Sequence, residues 1–205
     1  MKYAPVLALL FAAGILEACA GIEVPPEHLY VLHLPCQDRE GDLDPAGPWF
    51  FLDDVRGLDF ARGNTIWARV SPIEMEAWRH HKWALPITEV VEAAILEWAR
   101  SCGRFAGAGP AGDKSCFWNL LVTVENFEEV DEGDQWFAHV SLRLVFEYRP
   151  KGGGERQRVW QGRLTARVPA RTRHPEALVL AFGRALEEVL ERGIALATVN
   201  VEEEE

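Results

Sequence analysis

Two long alternations of apolar and polar residues, joined by a glycine turn, restrict the possible folds more than any other feature. From Gln135 to Arg149, the residues Trp136, Ala138, Val140, Leu142, Leu144, Phe146 and Tyr148 fall on one side. A period of two over that length belongs to a β-strand with one buried face. Lys151 to Gly154 reads as a flexible turn, after which Arg158, Trp160, Gly162, Leu164, Ala166 and Val168 share one face of a second strand. Two segments have helical spacing instead. In the first, opened by Leu85 and Pro86 and stopped by Gly103, Ile87, Val90, Val91, Ala94, Ile95 and Trp98 lie opposite Glu89, Glu92, Glu97 and Arg100. In the second, Pro175 to Arg192, the buried face is Leu178, Phe182, Ala185, Leu186, Val189 and Leu190. Shorter strands are expected at His28–Leu34, Trp49–Val55, Thr65–Val70 and Phe117–Asn126, with a polar loop from Gln37 to Pro48 and a glycine-rich loop between Gly103 and Ser115. Strands early and late, with one helix between and one at the end, predict an α/β fold: a mixed β-sheet flanked by helices, in a single domain over residues 27–200.

The amino terminus has the layout of an export signal: Lys2, an apolar run from Tyr3 to Leu16, then Leu16, Glu17, Ala18, Cys19 and Ala20. That run is shorter than the roughly 20 residues a membrane-crossing helix needs. Leu16 and Ala18 before Cys19 resemble a lipobox, from which Glu17 departs, so residues 1–18 are expected to be removed and Cys19 to carry lipid. Residues 19–26, with Gly21, Pro25 and Pro26, would form a tether. Ala18, Cys19 and Ala20 also fit ordinary signal-peptidase cleavage, which would leave Gly21 first. Ala20, in place of an aspartate after the cysteine, favours the outer membrane and the periplasmic side of the envelope. At the other end, residues 201–205 read as a solvated acidic tail.

The chain has 32 acidic against 21 basic residues, a formal charge of −11. Nucleic acid would repel such a protein, because binding it depends on neutralising phosphates. In an exported protein Cys102 and Cys116 are expected to form a disulfide closing a loop of about 15 residues, worth about 3 kcal/mol in a chain-entropy model; Cys36 would stay unpaired.

Gly107, Ala108, Gly109, Pro110, Ala111 and Gly112 match G-x-G-x-x-G by letter. The loop follows a helix and precedes a strand, the reverse of a dinucleotide site, so no cofactor is expected. His80 and His81 are adjacent, and His28 and His33 face opposite sides of a strand, so neither spacing builds a metal site. No nucleophile elbow or paired C-x-x-C is present, and no catalytic residue is assigned. The acidic pairs Asp53–Asp54 and Glu128–Glu129 are read as solvated loop residues. Arg143, Arg163 and Arg167, on the outward phase of neighbouring strands, are expected to pair with glutamates. The segment from Trp67 to Trp83 mixes Trp67, Met75, Trp78 and Trp83 with Arg69, Arg79, His80, His81 and Lys82. It reads equally as core packing or as a partner surface.

Ile66-Trp67-Ala68-Arg69-Val70-Ser71-Pro72, followed by Trp78-Arg79-His80-His81-Lys82-Trp83-Ala84-Leu85, resembles the signature of the ABC-type transport auxiliary lipoproteins, the PqiC-like group. The likeness extends to the lipobox cysteine, the Tyr30-Val31-Leu32 strand and the strand leading into Phe127-Glu128-Glu129. This resemblance implies a three-layer α/β domain of the anticodon-binding-domain-like type, without catalytic residues or cofactors. It would act as an adaptor in a lipid transport system beside an MCE-domain protein, an ABC permease and an ATPase, as a homo-oligomer. Trp78, Arg79, His80 and Trp83 are the candidate partner contacts. The alternatives are a stand-alone lipoprotein that binds a hydrophobic ligand, and a secreted hydrolase.

Overall fold

A computed structural model describes residues 25–34, 46–112, 114–152 and 154–204. The expected signal segment, Cys19, Cys36 and most of the tether lie outside the described residues. In chain order the elements are β1 (His28–Tyr30), β2 (Trp49–Gly57), a short 3-10 turn (Asp59–Arg62), β3 (Thr65–Ser71), β4 (Glu74–Trp83), α1 (Ile87–Ser101), β5 (Gly107–Pro110), β6 (Phe117–Asp131), β7 (Trp136–Arg149), β8 (Gln157–Pro169) and α2 (Pro175–Glu204). The described strands form one mixed eight-stranded sheet.

Strand β6 is its axis. One edge pairs antiparallel with β7, which pairs antiparallel with β8. The other edge is shared: β2 runs parallel to Phe117–Val124 and carries β5, while β3 runs parallel to Glu128–Val130 and carries β4 and then β1. The pairing register shifts between Val124 and Asn126. Such a bulge transfers the buried phase from even to odd residues. Before it Leu120, Val122 and Val124 are buried, and after it Phe127.

The alternation of β7 behaves as its sequence implies, since Ala138, Val140, Leu142, Leu144 and Phe146 are fully buried. Both helices cover that same face. Phe50 of β2 meets Trp98 of α1 edge to face at 6.0 Å, and its register partner Trp118 lies on the even phase of β6. On α2, a Cβ at Gly193 would lie 2.9 Å from both Leu144 and Phe146 of β7. Trp98 of α1 also donates to Glu191 of α2 at 3.1 Å. Among the described residues the three-layer expectation is therefore corrected to two layers, one of helices and one of sheet. The other, more polar face of the sheet carries an aromatic patch, with Phe51 against Phe117 at 5.2 Å, and is cross-linked by ions: Arg143 and Arg163 both pair with Glu125, the former at 2.8 Å, and Arg167 pairs with Glu132 at 2.5 Å. Burial opposes ionisation of Glu125, but hydrogen bonds from the two arginines hold its carboxyl below the ordinary range.

Several boundaries differ from the sequence reading. Helix α2 does not stop at Arg192 but runs 30 residues to Glu204, so the expected acidic tail begins as helix. The glycine after Arg192 marks close approach to the sheet instead of a C-cap, and Ile194 and Ala197 continue the buried stripe. No helix among the described residues is long and apolar enough to cross a membrane. Strand β1 pairs over only three residues. Beyond it Leu32 and Leu34 turn into the core, while the Leu34 N–H donates to Glu97 at 2.9 Å in place of a strand partner.

Candidate functional site

Glu128 and Glu129 are consecutive on a strand, so their side chains leave opposite faces of the sheet. Each is only 2% exposed, which corrects their assignment to a solvated loop. A buried carboxylate must find partners, and both find them in the β3–β4 hairpin. On the polar face, Glu128 accepts from Arg69 Nε at 2.7 Å and Arg69 Nη2 at 2.8 Å, a two-pronged contact. It also pairs with His139 Nδ1 at 3.2 Å and accepts from Asn126 Nδ2 at 3.3 Å. Burial opposes its charge, yet the hydrogen bonds from His139 and Arg69 prevail and depress its pKa. The bond to Glu128 raises that of Arg69 in return. Arg69 further donates to the Pro72 carbonyl at 3.5 Å and touches Met75 Sδ at 3.4 Å, bracing the hairpin turn.

On the helix-covered face, Glu129 accepts a 2.7 Å hydrogen bond from Trp78 Nε1 of β4. Burial pushes its pKa up to about 7, against the Trp78 bond and the charge of Arg173, with Asp131 adding to the rise. The Trp78 ring sits edge-on between His81 and Trp136, with centroids 5.3 Å away in each case. Strand β1 completes the cluster: its parallel register sets His28 opposite His81, and their rings stack at 5.0 Å. Tyr30 Oη lies 2.9 Å from His81 Nδ1. Burial, followed by the neighbouring His28, His80 and His174, holds the His81 pKa below its ordinary value. Burial and the charge of Glu176 raise that of Tyr30.

The third connection is apolar. Trp83 is fully buried, 5.5 Å from the Phe127 ring and 5.4 Å from Phe182 of α2. It is a core residue, and its assignment to a partner surface is corrected accordingly. Trp78 is half-buried and serves as a strut. Arg79 is exposed and His80 half-buried, so these two are the expected contact residues that face solvent. The expected Cys102–Cys116 disulfide is also corrected, because the two thiols face different surroundings. Cys102 Sγ, buried at the end of α1, is directed to the Ala99 carbonyl at 3.6 Å. Cys116 Sγ lies 3.5 Å from Tyr148 Oη on β7.

The G-x-G-x-x-G stretch has a packing explanation. Gly107–Pro110 forms β5 beside β2, where a Cβ at Gly107 would lie 2.8 Å from the Trp49 ring and one at Gly112 would lie 2.6 Å from the Phe51 ring. Among the described residues no three His, Cys, Asp or Glu side chains converge as a metal site. What the Glu128–Glu129 arrangement does chemically is hold: an ion pair on one face, a tryptophan bond on the other and an aromatic anchor beneath fix both strands of one hairpin. Sequence reasoning missed the pair of glutamates because the expected strand ended at Asn126; the apolar residues Phe127 and Val130 on either side of them were the signal that it continues.

No family model matches the sequence, and no curated protein matches it. Among solved structures the chain is similar to protein XCC0632 from Xanthomonas campestris, of the DUF330 family, with a TM-score of 0.67 at 19% identity over 87% of this chain and 100% of that one. It is also similar to an uncharacterized protein, with a TM-score of 0.62 at 14% identity over 84% of this chain and 99% of that one. At these identities the likeness establishes a shared fold.

Proposed function

We propose that this chain is a non-catalytic lipoprotein of an ABC- and MCE-type lipid transport system, anchored through Cys19 on the periplasmic side of the outer membrane. In this role it acts as an adaptor that presents the β3–β4 hairpin to its membrane partners. One observation carries the reading. The two separated stretches that resemble the auxiliary lipoproteins meet in space, Arg69 on Glu128, Trp78 on Glu129 and Trp83 on Phe127. A signature whose members hold one projecting element in a fixed pose fits recognition better than bond-making chemistry, because a rigid surface loses less entropy on docking. The fold likeness to XCC0632 supports the same reading only at the level of architecture.

Capture of the tagged chain from detergent-solubilised membranes tests it. Co-enrichment of an MCE-domain protein with its permease and ATPase is the expected result; enrichment of none of the three would count against the adaptor role. The mass of the membrane-extracted protein tests the anchor separately: it should exceed that of the Cys19–Glu205 polypeptide by an acylated glyceryl group. A mass equal to unmodified Gly21–Glu205 would contradict it. A hydrophobic ligand copurifying with the isolated chain would favour the stand-alone binding lipoprotein.

A further inference from the structure

We propose that β1 is an acid-released clasp, closed on β4 while His28 and His81 are neutral and let go when both take up protons. Little else holds it. The strand is three residues long at the end of the sheet; His28, Leu29 and the following Val31 are exposed, and Tyr30 is half-buried. Besides the short ladder, β1 is tied to β4 by the Glu27–Lys82 ion pair at 2.5 Å, a 2.7 Å bond from the Ala84 N–H to the Tyr30 carbonyl, and contacts around one imidazole. That imidazole is His81. The His28 ring lies flat on it, 5.0 Å between centroids and 13° between planes. Tyr30 flanks it at 5.8 Å, with Oη 2.9 Å from Nδ1.

Two neutral imidazoles stack; two imidazoliums in the same place repel, and imidazole is the side chain whose ordinary charge change falls between about pH 5 and 8. The surroundings do not compensate the added charge. His81 meets His28 and Tyr30 from β1, Trp78, His80 and the neighbouring Lys82 from its own strand, and His174 from the approach to α2. The carboxylates of the region are engaged elsewhere: Glu27 pairs with Lys82, Glu129 accepts from Trp78 beside Asp131 and Arg173, and Glu176 of α2 acts on Tyr30. Burial and Glu176 keep the Tyr30 hydroxyl protonated, so it brings no negative charge to an imidazolium. The described histidines that do pair with a carboxylate are His33, with Glu97, and His139, with Glu128.

Burial first, then His28, His80 and His174, hold the His81 pKa below its ordinary value of 6.5. The closed clasp therefore binds the proton less tightly than the open one. The hold contributed by neutral His81 is whole above 6.5 and is lost as the pH falls below that value. Opening lifts both the His28 ring and the Tyr30 cover from His81. Glu129 responds in the opposite sense, because its value of about 7 makes the protonated form the one the fold favours, so the Trp78 bond stays while β1 leaves. Release stops at Leu32, which is buried together with Leu34, whose N–H is held by Glu97. Each freed residue before it adds up to about 3.3 Å of reach. On the reading that Cys19 carries lipid, the clasp sets how far the domain stands from its membrane; the release itself needs no anchor.

The test follows amide hydrogen exchange of the full chain in detergent, each rate divided by the intrinsic rate at its pH. Between about pH 7.5 and about pH 5.5, protection of His28–Tyr30 and of the Ala84 N–H should fall at least about tenfold while β7 and β8 keep theirs, as in local opening of one unit. Ring-proton NMR of His81 should titrate with the same midpoint. His28→Gln with His81→Gln cannot take up the charge and should keep β1 equally protected at both pH values. His28→Gln alone leaves His81 and its Tyr30 contact in place and should flatten the response, which keeps the test decisive if the double variant is already open at about pH 7.5. Constant protection in the wild type, a loss that follows carboxylate titration instead of His81, or variants that open in acid as the wild type does would each overturn the proposal. Cys19→Ser should respond like the wild type, so failure of the anchor reading shows separately.

Discussion

Along β8, three outward carbonyls are occupied by side chains from α2: Asn200 donates to Val159 at 2.7 Å, Arg192 to Thr165 at 3.1 Å and Arg184 to Pro169 at 3.0 Å. The donors stand eight positions apart, about two helical turns each. The β3–β4 hairpin, on the other side of β6, ends in a bare isoleucine. A long edge strand is a template for unwanted pairing, and proteins blunt it with charges or cover. Here one helix both covers the sheet and reaches around to close its 13-residue edge strand. The hairpin instead has its root secured by two buried glutamates and its tip left open. The difference teaches that exposure at Ile73 coexists with close control of exposed backbone elsewhere, which is the pattern of a surface kept for contact.

Breaking the root should have the largest effect. Glu128→Ala removes the shared acceptor of Arg69 and His139 and leaves a largely buried arginine unmatched, at a cost of about 3 kcal/mol in denaturant unfolding. Reversing the sense of the comparison, Glu129→Gln should stabilise the protein at pH 8. The Glu129 pKa of about 7 lies above its ordinary value of 4.5, so the folded state binds the proton more tightly than the unfolded chain. Stability contributed by this group is therefore present at low pH and lost as pH rises from about 4.5 towards 7. Glutamine keeps an acceptor for Trp78 without the charge. The gain should be about 1–2 kcal/mol at pH 8 and near zero at pH 4.5, and taking the difference between the two proteins cancels the opposing contribution of His81. No gain at pH 8 would mean that Glu129 ionises freely in the fold.

The smallest thermodynamic effect belongs to the β8 edge. Arg192→Ala with Asn200→Ala should change stability by only about 1 kcal/mol, because each lost bond is partly replaced by water. It should nevertheless increase concentration-dependent association above that of the wild type, as strand edges become available. Unchanged behaviour at high concentration would remove the protective role assigned to the α2 side chains.

How much of this was legible in the sequence depended on whether the signal was local. The β7 and β8 alternation, the α1 face and the cross-strand pairing of Arg143, Arg163 and Arg167 all follow from periodicity, which reports directly on which side of an element is buried. Periodicity does not report which layer covers that side, so nothing in α1 or α2 alone reveals that both lie on one face. Glu128 and Glu129 looked solvated because acidic neighbours are common in this chain. Their burial is visible only once Arg69 and Trp78, 59 and 51 residues away, are brought to them. The stacking of His28 on His81 likewise depends on a parallel pairing between distant segments. The bulge before Asn126 hid the phase change that turns Phe127 inward. Trp83 could not be separated from Trp78 by residue type, since the two differ in environment rather than in chemistry.

The central claim is that Glu128 and Glu129 hold the hairpin as a rigid presenting element. Amide hydrogen exchange, resolved by peptide and compared between the wild type and Glu128→Ala, tests it most directly. Thr65–Ser71 and Glu74–Trp83 are expected to exchange at least about tenfold faster in the variant while β7 and β8 keep their protection, as expected for local opening of one unit. Equal loss of protection across the whole sheet, or none in the hairpin, would contradict the account.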